Sequence, residues 1–126
     1  MEKKVISTAS APAAIGPYSQ AIEANGILFV SGQIGINPAS GKIDATTIEG
    51  QTEQVMKNIA AILAEAGYAM SNIVRTSCML SDINNFAAFN EVYGKHLSAP
   101  FPARSTFAVK DLPKGALVEV EVTAAK

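Results

Sequence analysis

From Val118 to Thr123 the chain alternates without a break, with Val118, Val120 and Val122 on one side of an extended strand and Glu119, Glu121 and Thr123 on the other. A segment patterned this way belongs in a sheet with one covered face and one face left to water or to another protein. The rest of the chain has to supply the cover. It does so most clearly from Thr47 onward, where the period changes: Ile48, Thr52, Val55, Met56, Ile59, Ile62, Leu63 and Ala66 recur at helical spacing and predict a long amphipathic helix stopped by Gly67.

Val5 with Ile6, Tyr18 to Ala24, and Ile27-Leu28-Phe29-Val30 read as three short strands. The last two meet at Asn25-Gly26, a pair suited to a tight hairpin turn because both central residues need positive φ. Pro38-Ala39-Ser40-Gly41 marks a loop. Ile73 to Leu80 is a further strand, and Asp82 caps a second helix carrying Ile83, Phe86, Phe89, Asn90 and Tyr93. Arg104 to Lys110 and Leu117 to Thr123 are the last two strands, connected through the turn-prone Leu112-Pro113-Lys114-Gly115.

The order β-β-β-α-β-α-β-β predicts an α+β sandwich, a mostly antiparallel sheet with its two helices on one face. In the strand after the second helix, Phe107 and Val109 share one side and Arg104, Thr106 and Ala108 the other. With the valine and phenylalanine faces turned to the helices, Arg104, Glu119 and Glu121 are expected together on the bare face. A face with that content calls for solvent or a neighbouring subunit.

Composition narrows the setting. The chain has 126 residues, 48% of them hydrophobic, and no linker, repeat or low-complexity stretch, so it reads as one domain over residues 1–126. A domain this short gains from association with its own copies. The lone Cys78 excludes an internal disulfide and any multi-cysteine metal site. No long apolar run follows Met1 to Val5, and nothing approaches the ~20 apolar residues of a membrane span. With the free thiol, this predicts a cytoplasmic protein. Ten Lys and Arg against eleven Asp and Glu, for a net charge of −1, leave no basic footprint for nucleic acid.

Several standard sites drop out. His96 is the only histidine, so no His cluster for zinc exists, and its place near a helix end suits a structural or solvated role. A Ser-His-Asp triad would have to use it, and no G-x-S-x-G elbow accompanies it. The stretch from Gly35 to Ile43 superficially resembles a phosphate loop, but it has one residue too many between the glycines, and Ile43 stands where Ser or Thr is required. It reads as a turn. Cys78, beside Met79 and Leu80, reads as a small buried hydrophobe.

Arg104 is one of only two arginines and sits in Phe101-Pro102-Ala103-Arg104-Ser105-Thr106-Phe107, an apolar setting for a permanent cation. It needs a partner. Its planar fork suits a substrate carboxylate, while a salt bridge to Glu119 or Glu121 fits the spacing equally well. Glu119, between two valines, is placed either to hold a water and move protons or simply to face solvent. Gly16-Pro17-Tyr18 sets a phenol after a rigid turn, and Ser31-Gly32-Gln33 ends a strand on a glycine where a ligand can approach bare backbone.

Taken in order, Ala14-Ile15-Gly16-Pro17-Tyr18-Ser19-Gln20, Ser31-Gly32-Gln33-Ile34, Phe101-Pro102-Ala103-Arg104-Ser105 and Val118-Glu119-Val120-Glu121 closely resemble the reactive intermediate deaminase (RidA/YjgF) family. Asn37-Pro38, the run from Asp82 to Phe86, Asn90 with Tyr93, and Leu112 to Gly115 extend the resemblance over nearly the whole chain. The resemblance implies a chorismate-mutase-like homotrimer with active sites between subunits, and hydrolysis of 2-imino and enamine acids such as 2-iminopropanoate and 2-iminobutanoate without metal or cofactor. It also implies roles. Arg104 pairs with the substrate carboxylate, Glu119 positions the attacking water and Tyr18 joins them, while Ser31, Gly32, Asn90 and Thr106 bind substrate. The family often has cysteine in place of Thr106, and paired aromatics after Tyr93 where this chain has His96 and Leu97, a difference that bears on pocket shape. RNA cleavage, an activity also attached to the family, and ligand binding without catalysis are the alternatives from other classes.

Overall fold

Thr47 opens the long helix, its hydroxyl accepting the Gly50 N–H, and Gly67 closes it in the left-handed region. The computed structural model describes residues 2–126. In chain order the elements are β1 (Lys4–Ile6), β2 (Ala21–Ala24), β3 (Ile27–Gln33), α1 (Ile48–Ala66), β4 (Ile73–Leu80), α2 (Phe86–Lys95), β5 (Ala103–Ala108) and β6 (Val118–Ala125). This is the expected succession. Asn25 and Gly26 both take positive φ, 52° and 74°, in the two-residue turn between β2 and β3. The Asp82 carboxylate accepts the Asn84 N–H and starts a short 3-10 turn that leads into α2.

Strand β2 begins at Ala21 rather than Tyr18. The buried Gln20 amide explains the late start, because it donates to the Thr8 and Pro12 carbonyls and accepts the Thr8 N–H, tying the preceding residues to the N-terminal loop.

The six strands form one sheet in the order β1-β2-β3-β6-β4-β5, antiparallel throughout except for the β4–β5 pair, which α2 connects. Val118, Val120 and Val122 of β6 meet Val55, Ile59 and Ile62 of α1 in one core. Each such fully buried aliphatic side chain contributes roughly 1.5–3 kcal/mol relative to exposure.

Strand β5 turns the opposite way from the expectation. The parallel register sets Thr76 beside Arg104, Cys78 beside Thr106 and Leu80 beside Ala108. Thr76, Cys78 and Leu80 are buried on the helix side, and side chains in register point to the same side. Arg104 and Thr106 therefore face the helices, whereas Phe107 is 47% exposed on the bare face. The physical reason is that β5 is an edge strand, so its large apolar residue does not have to mark the core. Glu119 and Glu121 do lie on the bare face, but without Arg104.

Candidate functional site

Two clusters of polar side chains occupy opposite faces of the sheet. On the helix side, Phe86, Asn90 and Tyr93 stand at i, i+4 and i+7 along α2 and form one stripe directed at β5. Arg104 lies across it. Its Nη1 donates to Asn90 Oδ1 at 2.6 Å, and its guanidinium carbon is 5.0 Å from the Tyr93 ring centroid and 5.5 Å from that of Phe86. Both rings are within cation–π range. The Tyr93 hydroxyl is fixed in turn by Thr76 Oγ1 at 2.8 Å, and burial pushes that hydroxyl above its usual pKa.

Among the described residues no carboxylate pairs with Arg104: the ion pairs are those of Glu53 with Lys57 and with His96. An intrachain salt bridge to Glu119 or Glu121 is thus absent. The guanidinium borders an open hollow of about 440 Å³ that Phe101 and Pro102 also line. A cation held in position by neutral groups, beside open space, is equipped to receive an anion from outside the chain.

On the bare side, a cavity of about 720 Å³ is lined by Tyr18, Ser31, Gly32, Lys114, Glu119 and Glu121, with Ile15 and Ile36 among its apolar walls. The Ser31 hydroxyl donates to the Ser19 carbonyl at 2.6 Å, and the Tyr18 N–H donates to the Gly16 carbonyl at 2.9 Å. Burial, and secondarily the charge of Glu121, push the Glu119 carboxyl above the ordinary carboxylate range. A carboxylate raised in this way is a stronger base than a solvated one and is suited to accept a proton.

The structure thus gathers Tyr18, Ser31, Gly32 and Glu119 in one cluster and Arg104 with Asn90 in the other. Thr106 shares Arg104's side of β5 but lines neither cavity, and its hydroxyl oxygen is buried without a partner. His96 stands 2.9 Å from Glu53 in a contact between α2 and α1, and Cys78 is fully buried with its thiol pushed up by that burial. The stretch from Gly35 to Ile43 is a turn closed by an Asn37–Lys42 bridge. Lys114, and the Phe86 and Tyr93 cradle around Arg104, are site groups that the sequence reading misses; the i, i+4, i+7 spacing on α2 is the signal that marks the cradle. No group of three or more His, Cys, Asp or Glu side chains among the described residues is arranged to hold a metal, and no described helix is long and apolar enough to cross a membrane.

The family profile "Endoribonuclease L-PSP" matches residues 8–126. The chain is 48% identical to a protein of Arabidopsis thaliana named Reactive Intermediate Deaminase A, chloroplastic, over 98% of this chain and 66% of that one. It is 43% identical to the 2-iminobutanoate/2-iminopropanoate deaminase of Homo sapiens, over 97% of this chain and 89% of the human one. A solved structure of a Rid-family protein from Yersinia pestis superposes with a TM-score of 0.97 at 52% identity, covering 99% of this chain and 100% of the other.

Proposed function

The chain belongs to the endoribonuclease L-PSP family, which includes proteins named reactive intermediate deaminases, and we propose that it is a hydrolytic deaminase of 2-imino and enamine acids. Its substrates are 2-iminopropanoate and 2-iminobutanoate, and its products are the 2-oxo acids and ammonia. The observation that carries the reading is Arg104: a guanidinium oriented by Asn90, Phe86 and Tyr93 and left without a carboxylate of its own chain.

In the proposed mechanism Arg104 receives the substrate carboxylate through its fork. Glu119 accepts a proton from water as the oxygen adds to the imine carbon, and the proton passes to the nitrogen. The hydroxyl proton of the tetrahedral adduct then passes to the nitrogen by way of Glu119, the C–N bond breaks, ammonia leaves and the carbonyl forms. Tyr18, Ser31 and Gly32 border the reacting group on the Glu119 side, Asn90 holds Arg104, and Thr106 follows Arg104 on the same side of the strand. No step calls for a metal or cofactor.

Because the two charges lie on opposite faces of one sheet, a site that uses both is built from two copies: the Arg104 side of one against the Glu119 cavity of the next. Phe29 and Phe107, 50% and 47% exposed, give the bare face apolar surface suited to such packing. The assembly we propose is a closed homotrimer of single-domain chains (residues 1–126), located in the cytoplasm.

Two features weigh against RNA cleavage. The cavity carries two glutamates against one lysine in a chain of net charge −1, a poor match for a phosphate backbone, and the sole histidine is engaged by Glu53. A ligand-binding trimer without catalysis would need Arg104 but not a carboxyl raised like that of Glu119. The deciding experiment generates 2-iminopropanoate with a serine dehydratase and follows pyruvate and ammonia with and without the purified protein. Faster release is expected; an unchanged rate overturns the reading.

A further inference from the structure

Gly32 presents a question that ligand contact does not answer. Its φ is not positive, unlike that of Gly16, Gly26, Gly41, Gly67 and Gly115, so the backbone there admits any residue. What excludes a side chain is Glu119. A Cβ added at Gly32 would lie 2.9 Å from Glu119 Cδ and 3.2 Å from Cγ, and closer still to Oε2.

The strand pairing explains how the two meet. Val30 pairs with Val122 but Gln33 with Val120, so β3 spends one residue more than β6 across this interval and bulges at Ser31 and Gly32. Val30 and Gln33 are both buried, and the bulge between them brings Ser31 and Gly32 together to the cavity beside Glu119. On β4, the neighbours of Glu119 and Glu121 are Met79 and Ser77, neither of them titratable. The other titratable groups at the cavity are Glu121, Lys114 and Tyr18.

We propose that Gly32 is a positioning residue: the space left by its missing side chain is the seat of the Glu119 carboxylate, holding it half-buried at the cavity wall. The assignment rests on the proposed deaminase site for its catalytic meaning and on geometry alone for the seat itself. It differs from a substrate-contact role for the Gly32 backbone, because an alanine there displaces the flexible end of Glu119 first. The displaced carboxylate enters water and loses the desolvation that raises it.

The test is Gly32→Ala, read in two ways. NMR titration of labelled glutamate carboxyls should show one group above the ordinary range in the wild type that falls back toward it in the variant. Turnover should drop about 10–100-fold while pyruvate affinity stays within about twofold, since the carboxylate receptor is untouched. Adding Gly32→Ala to Glu119→Gln should cost little more, because both changes disable the same group. An unmoved titration together with tenfold weaker pyruvate binding would overturn the proposal and make Gly32 a ligand contact. If Gly32→Ala fails to fold, Gly32→Ala combined with Glu119→Ala must fold as well as Glu119→Ala alone; failure there also overturns it. A wild type without deaminase activity would sink the functional reading, and the titration comparison would still decide whether Gly32 seats the carboxylate.

Discussion

Arg104 and Glu119 are held by opposite means. The arginine is held from one side, with a neutral amide at 2.6 Å and two aromatic rings at 5.0 and 5.5 Å fixing the guanidinium from α2. The glutamate is set where a side chain is missing, against the bare backbone of Gly32, with a like charge, Glu121, as its electrostatic neighbour. The difference follows from what each group has to do. A permanent cation that recognises a planar carboxylate needs its plane fixed and gains from ring faces that leave its charge unneutralised. A proton acceptor needs partial desolvation and must stay free to change charge.

The contrast is broken most sharply on the acid. Glu119→Gln keeps the shape and removes the base, so kcat should fall by about 10²–10⁴ with pyruvate binding by calorimetry nearly unchanged. Full activity in that variant would remove the base from the mechanism. Arg104→Lys keeps the charge and removes the fork; kcat/KM for 2-iminopropanoate should fall by about 10², chiefly through binding. A fully active lysine variant would show that a point charge suffices. Phe86→Leu tests the cradle with the apolar volume largely kept. It should raise KM by about two- to fivefold with kcat unchanged, and Phe86→Tyr should restore it, because only the ring face is in question.

Most of the scaffold is legible in the sequence. Valine and glutamate alternating through β6 mark the covered and bare faces, and Thr47, Gly67, Asn25-Gly26 and Asp82 mark boundaries that the structure keeps. The orientation of β5 is not legible. It depends on a parallel register with β4 set through α2, and an edge strand obeys no burial pattern strong enough to reveal its side. Turning Phe107 to the helices, as its apolar side chain suggests, puts Arg104 on the face of Glu119, and the structure separates them. That separation is a property of strand pairing, which no local pattern records. Gly32 is likewise visible as a bare-backbone position, but the group filling its space comes from a strand far along the chain.

Mixing two inactive proteins decides whether one site takes Arg104 from one copy and Glu119 from another. Arg104→Ala and Glu119→Ala are each expected to be inactive as pure assemblies. Dissociated and reassembled in equal amounts, they should recover about a quarter of the wild-type rate, because random assembly sets an intact Arg104 against an intact Glu119 at about one site in four. Mixed assemblies, verified by mass, that remain as inactive as the parents would rule out a site shared between copies.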